Sequence, residues 1–448
     1  MTATKIPVGL PVRNPTNSYW QTPPHPLKDH RTTPNLPSSS QYVIVGSGVT
    51  GASIAHKLLL SHPTAQITIL EARTAASGAS GRNGGHCRGG RYLEFKNYAE
   101  RFGKDDALKM DQWEEDNVKN VGVFIREHGI ECDLRDVESV DVTTDDGQFQ
   151  DILEALKMRK EVAGKAGVAL WEHKIWSQEE ARKELLIPQA VGAVSFPAHV
   201  LNPYRFVCAL LEMSLEKGMN LQTNTPVVEV AKQHSGKKWI VSTERGDVEA
   251  DRVILATNAY TSALYPPVAD FIIPTRGQIA AIRPGSNIAG NPALKRTCEM
   301  SDGTSGDYFQ SRQKPFTGAG DLIMGGGRRV SPTGEQPILD DSTIHPAISS
   351  YLVKTVPPKY FGRENWGEDG EVVMEWTGIM AYTKDQQPII GQAPGQDGLW
   401  ICAGFNGHGM ALTFQAAEAL VGLLTGREAE VEKWLPDCFK IARVPRIR

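Results

Sequence analysis

The pattern of apolar and polar positions predicts a β-α-β unit near the start of the chain. The apolar run 42–45 has the length of a buried strand, and the stretch 52–61 after it has helical length and spacing. A second strand is predicted at 66–70. Two strands joined through one helix favour a parallel pair, which is the opening unit of a doubly wound α/β fold.

The same analysis predicts the elements that follow. The stretches 105–128 and 147–166 have the periodicity of amphipathic helices with one heavily charged face. Further helices are predicted at 203–217, 343–354 and 411–425. Further strands are predicted at 227–230, 239–244 and 247–249 and within 251–260, and an antiparallel sheet is predicted from 272–283, 307–312 and 321–325.

The glycine turn between the first strand and its helix has the spacing of a dinucleotide-binding site. Gly46 permits the tight turn, Gly48 lets the backbone approach a pyrophosphate, and Gly51 lets the helix lie close to the strand. The helix N-terminus then points its amide groups at the phosphates. Glu71 ends the second strand, where it can accept hydrogen bonds from ribose hydroxyls. We therefore predict a Rossmann-like domain.

The order of the segments predicts a discontinuous domain. A dinucleotide-binding unit opens the chain, and another strand, glycine turn and helix close it, so a substrate domain is expected between its pieces. The expected fold is a doubly wound α/β domain plus an α+β substrate domain with an antiparallel sheet. The predicted bounds are 41–95, 195–270 and 371–448 for the first domain, 96–194 and 271–370 for the second, and 1–40 for an extended, proline-rich arm.

Composition narrows the classes of partner. A formal net charge of −4 over 448 residues gives no reason to expect nucleic acid or an anionic membrane. The six cysteines form no CxxC pair, no secretory signal is visible, and no apolar run reaches the length of a membrane span. We expect reduced thiols, no metal site and, by elimination, a cytoplasmic protein. Composition does not indicate an oligomeric state.

Four segments together resemble the superfamily of FAD-dependent amine and amino-acid oxidoreductases, which includes D-amino-acid oxidase, glycine oxidase, sarcosine oxidase and gamma-glutamylputrescine oxidase. They are the glycine turn with Glu71-Ala72-Arg73, the small-residue loop 77–90, the strand 253–258 and the late turn 404–409. The resemblance covers nearly all of residues 40–427, and the leader segment 18–21 resembles fungal members.

The resemblance implies FAD as the cofactor, held without a covalent bond, and it assigns positions to it. In the family the loop runs beneath the flavin, and amide groups at the late helix N-terminus stabilise the negative charge of the reduced ring. The implied cofactor-binding residues are Gly46, Ser47, Gly48, Val49, Thr50, Gly51, Glu71, Ala72, Arg73, Ser77, Ser80, Arg82, Asn83, Gly84, Gly85, His86, Val228, Ala256, Thr257, Gly378, Gly404, Phe405, Asn406, Gly407, His408, Gly409 and Met410.

Several of these residues also have an ordinary structural interpretation. His86 is interpreted as a loop residue, with covalent attachment to the flavin as the alternative. Cys87 is interpreted as a buried thiol rather than a nucleophile. His408 either fixes the turn or transfers protons, and Asp385 structures a strand entry rather than acting as a base.

One departure from the family bears on the substrate. Amino-acid oxidases carry an arginine on a strand beside the flavin that pairs with the substrate carboxylate, and Ile379 and Met380 stand at the matching positions here. A thioether cannot form that pair, so a simple α-amino acid is disfavoured against an amine or a bulkier substrate. The substrate-side candidates are Tyr308, Arg312, Trp376, Met380, Tyr382 and His408.

The predicted function is oxidation of a C–N bond of a small amine or amino-acid derivative to an imine, with oxygen as acceptor and hydrogen peroxide as product. Three alternatives remain open at this point. The protein could be an FAD dehydrogenase with another electron acceptor, a nicotinamide-dependent dehydrogenase, or a flavoprotein that binds FAD without turnover.

Overall fold

The computed structural model describes residues 6, 8–233, 237–303, 306–312 and 320–444. Residues 1–5 and 7 of the predicted arm and 445–448 of the predicted first domain lie outside the described residues. Among the residues that are described, no helix combines the length and the apolarity needed to cross a bilayer. The expectation of a cytoplasmic location stays a prediction.

The strands form two sheets. The strands are β1 Ser39–Val45, β2 Ile67–Leu70, β3 His86–Cys87, β4 Arg135–Thr143, β5 Lys174–Trp176, β6 Gly192–Val200, β7 Asn220–Gln222, β8 Val227–Lys232, β9 Trp239–Thr243, β10 Gly246–Leu255, β11 Ile272–Ile282, β12 Thr297–Ser301, β13 Gly306–Arg312, β14 Asp321–Gly325, β15 Val372–Thr383, β16 Ile389–Gln392 and β17 Leu399–Ala403.

The helices lie between and around these strands. The α-helices are α1 Val49–Ser61, α2 Phe95–Phe102, α3 Lys104–Glu127, α4 Asp146–Ala166, α5 Gln178–Leu185, α6 Pro203–Glu216, α7 Thr261–Leu264, α8 Pro346–Ser350, α9 Val356–Trp366, α10 Gly409–Leu424 and α11 Glu428–Val431. Local sequence explains several of their ends. The Asn202 side chain accepts a hydrogen bond from the Arg205 amide at the start of α6, and α4 ends where Gly167 adopts a left-handed conformation.

The first sheet is the doubly wound one. Its order is β16-β17-β10-β1-β2-β7, and β1 pairs in parallel with both β2 and β10. The antiparallel strands β8 and β9 lead into β10. Helix α1 packs against α6 and α10, so elements from both ends of the chain cover one face of this sheet. The predicted α/β architecture is confirmed.

The second sheet belongs to the predicted substrate domain. Its order is β15-β11-β14-β13-β12-β4-β6-β3, with β5 beside β6, and every pair is antiparallel except β4 with β12. β15 pairs with β11 along almost its whole length, and β6 pairs with β4. By pairing, the stretches 372–383 and 192–200 therefore belong to this sheet, although the predicted bounds place most of them in the FAD-binding domain. The domain bounds themselves stay a prediction.

The described part of the N-terminal arm is tied down at several points. The Thr16 amide donates to the Asp341 carbonyl at 2.8 Å, and the Ser18 hydroxyl donates to the Gly81 carbonyl at 2.7 Å. Trp20 is 2% exposed and donates from Nε1 to the Asn83 carbonyl at 2.6 Å. Trp20 thus anchors the arm in the core, although most other described residues of the arm are exposed or half-buried.

Candidate active site

A cavity of about 780 Å³ runs between the two sheets. One end is formed by the turn after β1 and by the end of β2, and the other by β13, β15 and the N-terminus of α10. The cavity is large enough for a cofactor together with a small substrate, since ligand pockets commonly span a few hundred to about 1,000 Å³. Both ends of the chain contribute to its walls.

The glycine turn leaves no room for side chains. Gly46 has φ of +104°, and a Cβ there would lie 2.8 Å from the Ala256 carbonyl oxygen. A Cβ on Gly51 would lie 2.0 Å from the carbonyl oxygen of Gly46, so the helix can approach the turn only with glycine at this position. These close approaches are the ones that the spacing predicted.

Glu71 fixes this turn from the neighbouring strand. Its Oε2 accepts hydrogen bonds from the Ser47 amide at 2.9 Å and from the Ser47 hydroxyl at 2.7 Å, and its Oε1 accepts from the Arg73 amide at 2.9 Å. Ser80 caps α1, because its hydroxyl oxygen accepts from the Val49 amide at 2.8 Å. Gly48, Val49 and Thr50 at the start of α1 line the cavity, where a diphosphate fits the chemistry of a helix N-terminus.

The late glycine turn is docked on β15. The Asn406 amide donates to the Ala381 carbonyl at 2.8 Å, and its side-chain oxygen accepts from the Thr383 amide at 2.8 Å. Gly407 has φ of +79°, and a Cβ there would lie 3.0 Å from the Tyr382 hydroxyl. This docking turns the N-terminus of α10 toward the cavity, which suits the negatively charged end of a reduced flavin.

The loop that follows β2 forms the floor of the cavity. Arg82 binds three carbonyl groups, those of Ser77, Thr377 and Thr16, so it ties the loop to β15 and to the arm. His86 lies edge-on to Tyr308, with ring centroids 5.1 Å apart. Burial and then the charge of Arg88 lower the pKa of His86 to about 3, so its imidazole is neutral at physiological pH.

The structure brings most of the predicted residues into this cavity. The predicted residues that line it are Gly46, Gly48, Val49, Thr50, Glu71, Ala72, Arg73, Ser80, Arg82, Asn83, Gly84, His86, Ala256, Thr257, Gly378, Phe405, Gly407, His408, Gly409, Met410, Tyr308, Met380 and Tyr382. Other predicted positions support its walls from behind, namely Ser47, Gly51, Ser77, Gly85, Gly404 and Asn406. Their individual roles in binding stay predictions.

Three predicted positions lie elsewhere. Val228 is 48% exposed, and its neighbour Val227 lines the cavity instead, because β8 turns alternate side chains to opposite faces. Arg312 is fully buried, pairs with Asp133 at 3.0 Å and stacks over Trp20. Trp376 is fully buried and donates to the Arg82 carbonyl at 2.7 Å. The structure gives the latter two packing roles in place of the substrate contacts expected for them.

The thiols are structural. All six cysteines are buried and free. Burial and then the charge of Glu114 raise the pKa of Cys87 to about 12, and its thiol meets the Met410 carbonyl at 3.3 Å. Cys402 lies fully buried on β17, where burial also raises its pKa. Neither thiol is a nucleophile at neutral pH.

Several residues of the cavity wall were not predicted from the sequence. Arg328 follows a run of three glycines that begins at the last residue of β14, and the Tyr382 hydroxyl lies 3.1 Å from its Nη2. Arg88 pairs with Asp141 and with Glu299, and Leu10 and Pro11 of the arm also line the cavity. The run Gly325–Arg329 could have indicated Arg328, because glycines followed by cations are typical of a turn that can present positive charge to an anion.

The glycine turns, the cavity and the α10 N-terminus define a dinucleotide-binding oxidoreductase, and comparison with known families agrees. Residues 41–423 match the family described as FAD dependent oxidoreductase. The chain belongs to this family, FAD is its cofactor and it is an enzyme. The resemblance seen in the sequence is confirmed.

Individual relatives are distant but cover almost the full length. The chain is 24% identical to a probable oxidoreductase, OrdL, of Rhizobium meliloti, over 95% of this chain and 94% of that protein. It is 23% identical to a glycine oxidase of Pseudomonas aeruginosa, over 88% of this chain and 97% of that protein. The solved glycine oxidase of Geobacillus kaustophilus superposes with a TM-score of 0.69 at 20% identity, covering 91% and 99% of the two chains. That likeness shows the same fold.

Proposed function

We propose that this enzyme oxidises a C–N bond of a small amine or amino-acid derivative and passes the electrons to molecular oxygen. The observation that carries the proposal is the single cavity that joins the dinucleotide turn to a chamber lined by Tyr308, Met380 and Tyr382 beside the α10 N-terminus. The names of the relatives agree, since they include glycine oxidases and a gamma-glutamylputrescine oxidoreductase.

The overall reaction balances with oxygen as the only co-reactant. The amine loses two electrons and two protons and becomes an imine, while oxygen gains them and becomes hydrogen peroxide. Water then hydrolyses the imine to a carbonyl compound and a free amine or ammonia. Bound FAD, held without a covalent bond, supplies the two-electron chemistry.

The side chains of the chamber position and shield the substrate rather than take its proton. His86 is a weak base, because burial lowers its pKa to about 3. Burial also raises the pKa of Tyr308, so its phenol stays protonated at neutral pH. The substrate nitrogen is therefore expected to bind in its neutral form, and the pH profile should follow the pKa of the substrate amine.

Rapid mixing tests both parts of the proposal. An anaerobic panel of amines and amino acids, followed at the flavin absorbance, should bleach the enzyme with at least one member. Mixing the reduced enzyme with air-saturated buffer should then restore the colour and release one hydrogen peroxide per flavin. Negligible reoxidation would make the protein a dehydrogenase with another acceptor, and a panel that never bleaches the flavin would point to a flavoprotein without turnover.

A further inference from the structure

We propose that Arg328 binds a carboxylate of the substrate, and that the substrate is an amine whose carboxylate is separated from the reacting C–N bond by several methylene groups. This inference rests on the proposed function of the cavity. In place of the arginine that is missing at position 380, it uses one from the turn that follows β14.

The turn that presents Arg328 is rigid. Gly326 and Gly327 have φ of +127° and +69°, which favours glycine at both positions. The Gly327 amide donates to Asp307 Oδ1 at 2.9 Å, and a Cβ on Gly326 would lie 2.3 Å from that same oxygen. Asp307 is itself fully buried. The backbone of Arg328 is therefore held in place before any ligand arrives.

The guanidinium of Arg328 lacks a counter-ion within the described ranges. It lies 3.1 Å from the Tyr382 hydroxyl and 5.0 Å from the centre of its ring, and no carboxylate of the described residues pairs with it. Its neighbour Arg329 pairs with Asp302. Glu299 shares the cavity wall but is paired with Arg88 at 2.8 Å. Among the residues that the structure describes in this part of the chamber, Arg328 is thus the cation that remains available to an acidic ligand.

Tyr308 completes an anion-binding wall. It lies opposite Gly325 in the pairing of β13 with β14, and its ring takes the space that a Cβ on Gly325 would need, with the hydroxyl 2.2 Å from that position. Its pKa is raised by burial, although the charge of Arg328 lowers it, so the phenol remains a hydrogen-bond donor. A guanidinium beside phenol groups is a set of donors that suits a carboxylate.

The position of Arg328 sets where that carboxylate lies. Positions 380 and 382 of β15 face the cavity and are about 7 Å apart, at about 3.3 Å per residue. Met380 stands where the family's arginine is expected, and its sulfur lies 3.5 Å from the Cβ position of Gly407. Arg328 contacts Tyr382, the next cavity-facing residue. A carboxylate held there is displaced from the α position by several bonds.

Ligand binding to the FAD-loaded enzyme tests this without requiring turnover. Titration with pentanoate, acetate and neutral pentan-1-ol, followed by the flavin spectrum and by calorimetry, should show that pentanoate binds best. Arg328→Met should weaken pentanoate on the order of 30-fold, as expected for a charge-assisted hydrogen bond, and Arg328→Lys should restore part of the affinity. Arg329→Met removes the same charge from the next residue and should change the affinity less than threefold.

Two results would overturn the inference. One is pentanoate binding that is equal in the wild type and in a flavin-loaded Arg328→Met variant, and the other is acetate binding as tightly as pentanoate. Turnover gives a second readout, because Arg328→Met should lower the preference for 5-aminopentanoate over pentylamine through KM. If amines bleach the flavin but Arg328→Met binds pentanoate as tightly as the wild type, only this inference is refuted. If carboxylates bind through Arg328 but no amine is oxidised, the proposed function fails alone.

Discussion

Replacing Asp341 by asparagine tests whether one buried carboxylate holds two of the arginines that line the cofactor cavity, Arg73 and Arg82. The Asp341 side chain is 1% exposed, and its two oxygens accept hydrogen bonds from Arg73 Nη1 at 2.9 and 3.1 Å. Arg82 Nε lies 3.8 Å from its Oδ2. The variant keeps the shape of the side chain and removes its charge, so it isolates the electrostatic contribution.

The expected loss follows from these distances. At an effective dielectric constant of about 20, unit charges 2.9 and 3.8 Å apart attract by about 6 and about 4 kcal/mol. The asparagine oxygen still accepts one hydrogen bond, and the variant no longer pays to desolvate a carboxylate. The net loss should therefore lie near the lower end of the range of about 3–5 kcal/mol seen when a buried pair loses one partner. For 448 residues, about 3 kcal/mol lowers the melting temperature by about 3 °C.

Guanidinium unfolding of the apoprotein, followed by tryptophan fluorescence, measures this loss. Asp340→Asn is the matched control. The Asp340 side chain is exposed and, among the described residues, accepts hydrogen bonds from Ser342 alone, so the variant should stay within about 0.5 kcal/mol of the wild type. FAD should recover part of the loss, since its diphosphate brings negative charge to the same cavity. A loss below about 1 kcal/mol, or an equal loss in Asp340→Asn, would refute the reasoning.

The remaining predictions concern other parts of the chain. Gly51→Ala should abolish FAD retention, measured as the flavin-to-protein absorbance ratio, because its Cβ would lie 2.0 Å from the Gly46 carbonyl oxygen. Gly78→Ala is the control and should retain FAD, because a Cβ at position 78 would have no contact atom within 4 Å. Burial lowers the pKa of His56 to about 4, below its unfolded value, so the contribution of His56 to stability falls as the pH drops through 6.5. Between pH 8 and pH 5 the free energy of unfolding should fall by about 2 kcal/mol more in the wild type than in His56→Phe, and equal losses would contradict this. A thiol reagent should label less than one of the six buried cysteines in the native protein and all six after unfolding.

The residues of the dinucleotide turn could be predicted from sequence because they lie close together in the chain. Gly46, Gly51 and Glu71 sit within one β-α-β unit, so their spacing reflects direct contacts, and the structure shows those contacts. Strand ends were harder to place where polar residues interrupt a pattern. β10 was expected as two strands, at 247–249 and within 251–260, but it runs unbroken from Gly246 to Leu255 because it pairs first with β9 and then with β1.

The residues that line the substrate chamber could be predicted only in part, because a segment distant in sequence decides where the chamber ends. Arg312 and Trp376 lie on the same faces of their strands as the cavity residues Tyr308 and Met380, so period-two alternation correctly selected the face. What removes them from the cavity is the N-terminal arm.

The arm covers both side chains with two aromatic rings. The ring of Tyr19 stacks on Trp376 with centroids 6.2 Å apart, and Arg312 lies 5.3 Å from the ring of Trp20. The residue pattern of β13 and β15 carries no sign that residues about 290 to 360 positions earlier in the chain cover one end of the sheet face. The chamber is therefore confined to the opposite end, around Tyr308 and Tyr382, which is the end that Arg328 reaches.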